Sequence, residues 1–181
     1  MTYLSTTEDD KKRYAAICLA GIGVAQNQIG ESGTSAATMQ RALRLAGRIG
    51  RNEDRSRALQ DISVEQVRIG DLAGARVSLD EITEESARRW AQKGIAEAEA
   101  RAGSREEAVR TIDAGLIERG KLIEELANVF SELGDREGLK LLLLASAQEA
   151  SSAYHVCVLL AKSYPEQLAA LTVAMIDAEP A

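Results

Sequence analysis

Three stretches of the sequence share one pattern: Arg68-Ile69-Gly70-Asp71, Arg101-Ala102-Gly103-Ser104 and Glu132-Leu133-Gly134-Asp135. Each stretch separates two segments that have helical periodicity. The glycines are 33 and 31 residues apart, a repeat length typical of helical solenoids. Glycine tolerates the left-handed backbone that ends a helix, and the following Asp or Ser can cap the next one. The pattern therefore predicts a stack of antiparallel helical hairpins.

When the three repeats are aligned on these glycines, the aligned positions, or columns, contain matching residue types. A large apolar residue followed by a small one precedes each glycine, and apolar residues recur after it. Such pairs let two helices approach closely while the large side chains fill the seam. The preceding pairs are Ile62-Ser63, Ile95-Ala96 and Leu126-Ala127, and the following residues are Ala75, Ala108, Leu139, Leu79, Ile112 and Leu143.

The repeat extends in both directions. Gly30 is an earlier anchor, with an insertion at 31–35 that we interpret as a loop or capping turn, and Tyr164-Pro165 takes the place of Gly-Asp near the end. We predict an irregular leader over 1–7 that includes a capping Thr6, one repeat domain over 8–177 and a tail over 178–181. The predicted helices are 9–29, 35–49, 53–69, 72–82, 84–102, 105–114, 117–133, 136–148, 151–163 and 165–177.

These columns resemble the tetratricopeptide repeat over the chain after residue 14. The small residues at 23, 63, 96 and 127, the Gly-Asp steps at 70–71 and 134–135, and Ala75 and Ala108 match that motif. The chain departs from the motif where Leu59, Gln92 and Ile123 replace its aromatic residues. The resemblance implies an all-α superhelix, a divergent tetratricopeptide-like solenoid of about five antiparallel hairpins.

The resemblance also implies a concave groove, lined by the first helix of each hairpin, that binds a peptide or helix of a partner. The chain has the following residues at the groove positions: Arg57, Gln60, Val64, Arg68, Trp90, Lys93, Glu97, Arg101, Lys121, Glu124, Asn128, Tyr154, His155 and Lys162. Trp90 is the only tryptophan and has basic neighbours, which is typical of a binding hot spot. The alternative is that Trp90 packs between consecutive repeats.

Composition limits the classes of partner. A net charge of −6 and a pI near 5.0 argue against nucleic-acid binding, which needs a positive field. Cys18 and Cys157 are far apart and form no disulfide or metal pattern, so we expect a cytoplasmic protein. The apolar run over 15–25 is too short to span a membrane, which takes about 20 residues.

No motif predicts catalysis or a cofactor. The run over 115–121 has phosphate-loop spacing, but Leu122 stands where a Ser or Thr would hold magnesium. His155 and Cys157 are two residues apart and so face different sides of a helix. The carboxylates of Glu97, Glu99, Glu124 and Glu125 are expected at ordinary surface positions.

Two further surfaces each have two interpretations, and a third stretch is expected to be buried. The apolar first helix is either covered by later helices or forms an interface with another chain. A row of arginines is either a docking site for an acidic or phosphate-bearing partner or a solvated helix face partly neutralised by Glu53 and Asp54. The leucine run over 141–144 is expected to be buried between neighbours. The arginine row comprises Arg41, Arg44, Arg48, Arg51 and Arg55.

The sequence therefore favours a non-enzymatic adaptor or chaperone-like module that binds another protein. An acidic segment of that protein is one candidate ligand. A structural subunit that assembles with itself or a larger complex through the first helix is the alternative. An enzyme on a helical scaffold is disfavoured, because its catalytic groups would have to be acids without a recognised pattern.

Overall fold

A computed structural model describes residues 7–113 and 119–165 of the chain. Within these ranges the protein is all-α, with nine helices and no strand, as predicted. The helices are α1 (Glu8–Gln28), α2 (Ser32–Ala46), α3 (Asn52–Arg68), α4 (Leu72–Glu81), α5 (Glu85–Arg101), α6 (Arg105–Asp113), α7 (Arg119–Glu132), α8 (Arg136–Ala145) and α9 (Ala150–Ser163).

The chain divides into two compact units, with the boundary at Ala98 and Glu99 in α5. In the first unit α1 packs against α2 and α3, and α3 packs against α4. In the second unit α7 packs against α8 and α9, and α6 packs against α8. The prediction of one domain over 8–177 stays a prediction.

The glycine anchors adopt the backbone conformation that the sequence predicts. Gly30, Gly70, Gly103 and Gly134 have φ of 86°, 79°, 81° and 64°. Residues with a Cβ seldom adopt this left-handed region. After two of these glycines, Asp71 and Asp135 accept a hydrogen bond from the backbone N–H three residues later and so cap α4 and α8.

Buried side chains join the two helices of a hairpin at equivalent positions. The Ser78 hydroxyl donates to the Gln66 carbonyl oxygen at 2.6 Å, and the Thr111 hydroxyl donates to the Glu99 carboxylate at 2.8 Å. Gln66 and Glu99 each precede their glycine by four residues, and their partners follow it by eight. These two hairpins therefore share one buried polar contact at equivalent positions of the sequence repeat.

The third repeat has apolar residues at these two positions. The equivalent residues, Phe130 and Leu142, are both completely buried. Gly138 lies under the Phe130 ring, and a Cβ at that position would stand 2.5 Å from a ring carbon. The close packing of the Phe130 ring therefore depends on a residue without a side chain.

Two predicted helix starts need correction. The cap of α1 is Thr7 rather than Thr6, and its hydroxyl forms a capping box with Asp10. Helix α2 begins at Ser32 and not at residue 35, so the stretch over 31–35 forms its N-cap and first turn, and the loop alternative is wrong. The Ser35 hydroxyl donates to the Gly23 carbonyl at 2.7 Å, and this buried hydrogen bond ties the start of α2 to α1.

The prediction that the leucine run over 141–144 is buried is wrong for its last residue, Leu144. Leu142 is completely buried, whereas Leu144 is 75% exposed. The two residues differ by about 200° around the helix, so they cannot face the same neighbour. Helix α8 also ends at Ala145, three residues before the predicted boundary.

The first helix is buried on one side. Ala16, Ala20 and Val24 belong to its buried face, which packs against α2 and α3. Tyr14, Ile22 and Ile29 are 55%, 50% and 72% exposed. The predicted leader over 1–7, helix 165–177 and tail lie outside the described residues, apart from Thr7 and Pro165.

Gly138 provides a test of hairpin packing. We expect Gly138→Ala to destabilise the protein by about 1–3 kcal/mol, because the added methyl group collides with the Phe130 ring. This corresponds to a fall in Tm of several degrees, measured by circular dichroism.

Gly94→Ala is the matched control. Gly94 is also helical, and a Cβ there meets nothing within 4 Å, so the substitution should be neutral or stabilising by up to about 1 kcal/mol. Equal effects of the two substitutions would show that helix propensity, and not the contact with Phe130, governs both sites.

Candidate functional site

The structure places all fourteen predicted groove residues at exposed or half-buried positions. Those that fall in the first unit lie on α3 and α5. They are Arg57, Gln60, Val64, Arg68, Trp90, Lys93 and Glu97. Those in the second unit lie at the end of α5 and on α7 and α9. They are Arg101, Lys121, Glu124, Asn128, Tyr154, His155 and Lys162.

Three of the predicted residues meet in one cleft of the first unit, which we call the aromatic cleft. It has a volume of about 410 Å³ and lies between α1, α3 and α5. Two exposed aromatic residues, one from α1 and one from α5, are among its lining residues. The lining residues are Arg13, Tyr14, Ile17, Arg57, Gln60, Asp61, Ser86 and Trp90.

Arg13 holds one side of the cleft in place. Its guanidinium carbon lies 4.9 Å from the centre of the Tyr14 ring, and Nη2 donates to the Tyr14 hydroxyl at 3.2 Å. Its Nη1 lies 3.5 Å from the buried carboxylate of Asp54, at the start of α3. The aromatic ring of α1 is thereby linked to α3 through one arginine.

Arg57 contributes a second positive charge. Its Nη2 lies 2.6 Å from the Glu53 carboxylate one turn earlier, and both side chains are about half exposed. An exposed pair of this kind is worth about 0.3–0.5 kcal/mol on a helix. A ligand carboxylate can therefore replace Glu53 at little cost.

Asp61 is the one acid of the cleft lining. It is half-buried, and within the described part of the chain it makes no hydrogen bond. Burial raises the pKa of this carboxyl above its ordinary value, and the nearby Arg13 offsets part of the rise. Its oxygens are free to accept hydrogen bonds from a ligand.

Trp90 lies at the cleft edge and is 55% exposed. The Lys93 ammonium group is 5.8 Å from the centre of its ring, within the range of a cation–π contact. Burial between consecutive repeats therefore does not explain this tryptophan. Its exposure leaves most of one large apolar surface available to a partner.

In the second unit, α7 and α9 bring two predicted residues together. The His155 Nε2 lies 3.3 Å from the Asn128 side-chain oxygen, and Tyr154 is 72% exposed beside them. Lys121 and Lys162 are exposed on the same two helices.

The sequence analysis missed five of the eight lining residues: Arg13, Tyr14, Ile17, Asp61 and Ser86. One signal was present. Ile17 precedes Gly30 by the same thirteen residues by which Arg57 precedes Gly70 and Trp90 precedes Gly103. Applying the repeat position to the first hairpin would have found Ile17, and the preceding turn of the same helix would have found Arg13.

One carboxylate departs from its expected position. Glu99 is completely buried and accepts the Thr111 hydroxyl, so it belongs to the hairpin packing and not to the surface. No group of three His, Cys, Asp or Glu side chains in the described ranges could hold a metal ion. Burial raises the pKa of the Cys157 thiol.

Comparisons with known proteins identify no relative. No protein-family model matches the chain, and no curated protein or solved structure is similar to it at a significant level. Among the described helices, none is both long and apolar enough to cross a membrane.

Asp61 gives the cleft a measurable pH dependence. Its raised pKa means that the unfolded chain loses this proton first, so wild type loses stability as the pH rises from 3.8 through the folded value. We expect Asp61→Asn to raise Tm at pH 7 by about 1–2 °C, since a half-exposed group contributes little.

The gain should shrink toward zero as the pH falls below 3.8, where the wild-type carboxyl becomes protonated in both the folded and the unfolded state. Thermal melts of both proteins between pH 4 and 7 would measure it. A gain that is constant over this range would show that Asp61 is not destabilised by burial.

Proposed function

We propose that the chain is a non-enzymatic protein–protein interaction module. It is a tetratricopeptide-like solenoid of about five hairpins that binds a peptide or helix of a partner protein on the faces of its first helices. It acts as an adaptor or as a chaperone-like protein, in the cytoplasm. The free thiols of Cys18 and Cys157 fit a reducing compartment.

The observation that carries the proposal is the aromatic cleft. Trp90 and Tyr14 are each 55% exposed, and both line the same depression together with Ile17 and two arginines. Trp, Tyr and Arg are the residues that dominate binding energy at protein interfaces. Their convergence from three helices supports binding by this surface.

The chemistry of the lining favours a peptide. An apolar ligand side chain fits against Tyr14, Ile17 and Trp90, and a ligand carboxylate or carbonyl can accept from Arg57. The unfilled oxygens of Asp61 can accept backbone N–H groups. A peptide supplies all three kinds of group, whereas a nucleic acid is disfavoured by the net charge of −6.

The solenoid interpretation is supported by packing inside each unit. First helices of consecutive hairpins are in contact, α1 with α3 and α7 with α9. This arrangement presents successive first helices side by side, as the resemblance implies. Each unit thereby offers a row of helix faces to a partner.

The sole tryptophan makes binding directly measurable. Peptides selected by display on the wild-type protein should change Trp90 fluorescence on titration, because the ring becomes buried. We expect Trp90→Ala, followed with labelled peptide, to raise Kd at least about ten-fold, the effect of losing one hot-spot residue.

Leu144→Ala is the matched control, since it truncates a 75% exposed apolar side chain that is not part of the cleft lining. It should leave Kd within about two-fold of wild type. Selected peptides that bind Trp90→Ala as tightly as wild type would refute the aromatic cleft as the binding surface.

A second candidate function is assembly through α1. Its outer face exposes Ile22 and Ile29 as well as Cys18, and small residues there allow close helix approach. If this face joins two copies, the mass measured by sedimentation should rise with concentration. Ile22→Glu should then restore a monomer, because a charge would be buried in the contact. A mass independent of concentration would eliminate this candidate.

A further inference from the structure

A second hollow lies on the other side of α1, between α1 and α2. It has a volume of about 280 Å³ and is lined by Leu19, Arg41, Arg44, Leu45 and Arg48. All three arginines are exposed, and both leucines are half-buried. We call this surface the arginine hollow. It has an apolar floor and a guanidinium rim.

These arginines differ from the rest of the row. Arg51 lies 3.2 Å from the Asp54 carboxylate, and Arg55 donates to Asn52 at 2.8 Å. Across the described residues, Arg41, Arg44 and Arg48 are the arginines whose side chains make no hydrogen bond, ion pair or ring contact. Neutralisation by Glu53 and Asp54 thus does not reach the hollow, since these acids pair elsewhere.

The sequence around the arginine hollow also lacks acidic residues that could balance its positive charge. The stretch from 32 to 52 contains four arginines and no Asp or Glu, although the whole chain has 28 acids and 22 basic residues. Like charges at spacings of three and four destabilise a helix. A bound anion would relieve this repulsion, and the planar guanidinium group binds carboxylates in bidentate fashion.

We infer that the arginine hollow binds an acidic segment of a partner protein, in which an apolar residue lies between carboxylates. The apolar residue contacts Leu19 and Leu45, and the flanking carboxylates accept from Arg41, Arg44 and Arg48. The leucine floor favours this ligand over a phosphate group, which has nothing apolar to place there. The net charge of −6 opposes attraction to an anionic membrane surface.

A short fluorescein-labelled peptide in which leucines alternate with pairs of glutamates is the probe, and anisotropy gives its Kd. Two comparison peptides replace the leucines by serine or the glutamates by glutamine. We expect the mixed peptide to bind the tightest, and Arg41→Gln/Arg44→Gln to weaken it at least about ten-fold.

Arg110→Gln/Lys140→Gln is the matched control. It removes the same charge from an exposed position, Arg110, and a half-buried one, Lys140, in the second unit and should change Kd by less than about two-fold. Circular dichroism verifies that both variants fold. Arg48→Gln is a second variant, and Arg48 lies outside any helix. We expect it to weaken binding of the mixed peptide as well, but by a smaller factor.

Several outcomes would overturn the inference. One is equal binding of the mixed and the serine-substituted peptides, which would mean simple polyanion attraction. Another is a Kd that the Arg41→Gln/Arg44→Gln substitution leaves unchanged, or no binding by wild type at all. A third is arginine-dependent cosedimentation with phosphatidylserine vesicles in the absence of peptide binding, which would assign the hollow to a membrane.

Discussion

The left-handed turn after a first helix is the constraint on which the other features depend. Gly30, Gly70, Gly103 and Gly134 each reverse the chain where a residue with a Cβ would be strained. The reversal sets the next helix against the previous one, and in α4 and α8 the side chain of Asp71 or Asp135 then accepts from one of the first backbone N–H groups. Every later contact, from the buried Gln66–Ser78 bond to the closeness of Gly138 and Phe130, follows from where the chain turns.

The two proposed binding surfaces share the helix α1 and use opposite principles. In the aromatic cleft both arginines are already engaged, Arg13 by Tyr14 and Asp54, and Arg57 by Glu53. Exposed rings therefore supply the affinity there, and the charges orient the ligand. In the arginine hollow no acid balances the guanidinium groups, so a ligand's carboxylates supply most of the attraction. One helix can thereby contribute to recognition of two chemically different segments.

The sequence predicts the hairpins well because glycine position and helical periodicity are local signals. It predicts the start of α4 at Leu72 and places Arg57 and Trp90 at positions that line one cleft. It fails where the decisive partner is distant. Whether Glu99 is buried depends on Thr111 in the next helix. Whether Ser35 belongs to α2 or to a loop before it depends on its hydrogen bond to the Gly23 carbonyl. The exposure of Leu144 depends on which side of α8 has a neighbour. None of these is visible in the composition of a single helix.

The buried polar contacts between paired helices also bear on how the chain folds. Gln66 and Ser78 are twelve residues apart, as are Glu99 and Thr111, so each bond closes within one hairpin. Contacts of such short separation need little loop closure and form early and fast. Neither bond requires a residue from a later hairpin. During synthesis, the partners of each bond are therefore both present as soon as the second helix of that hairpin leaves the ribosome.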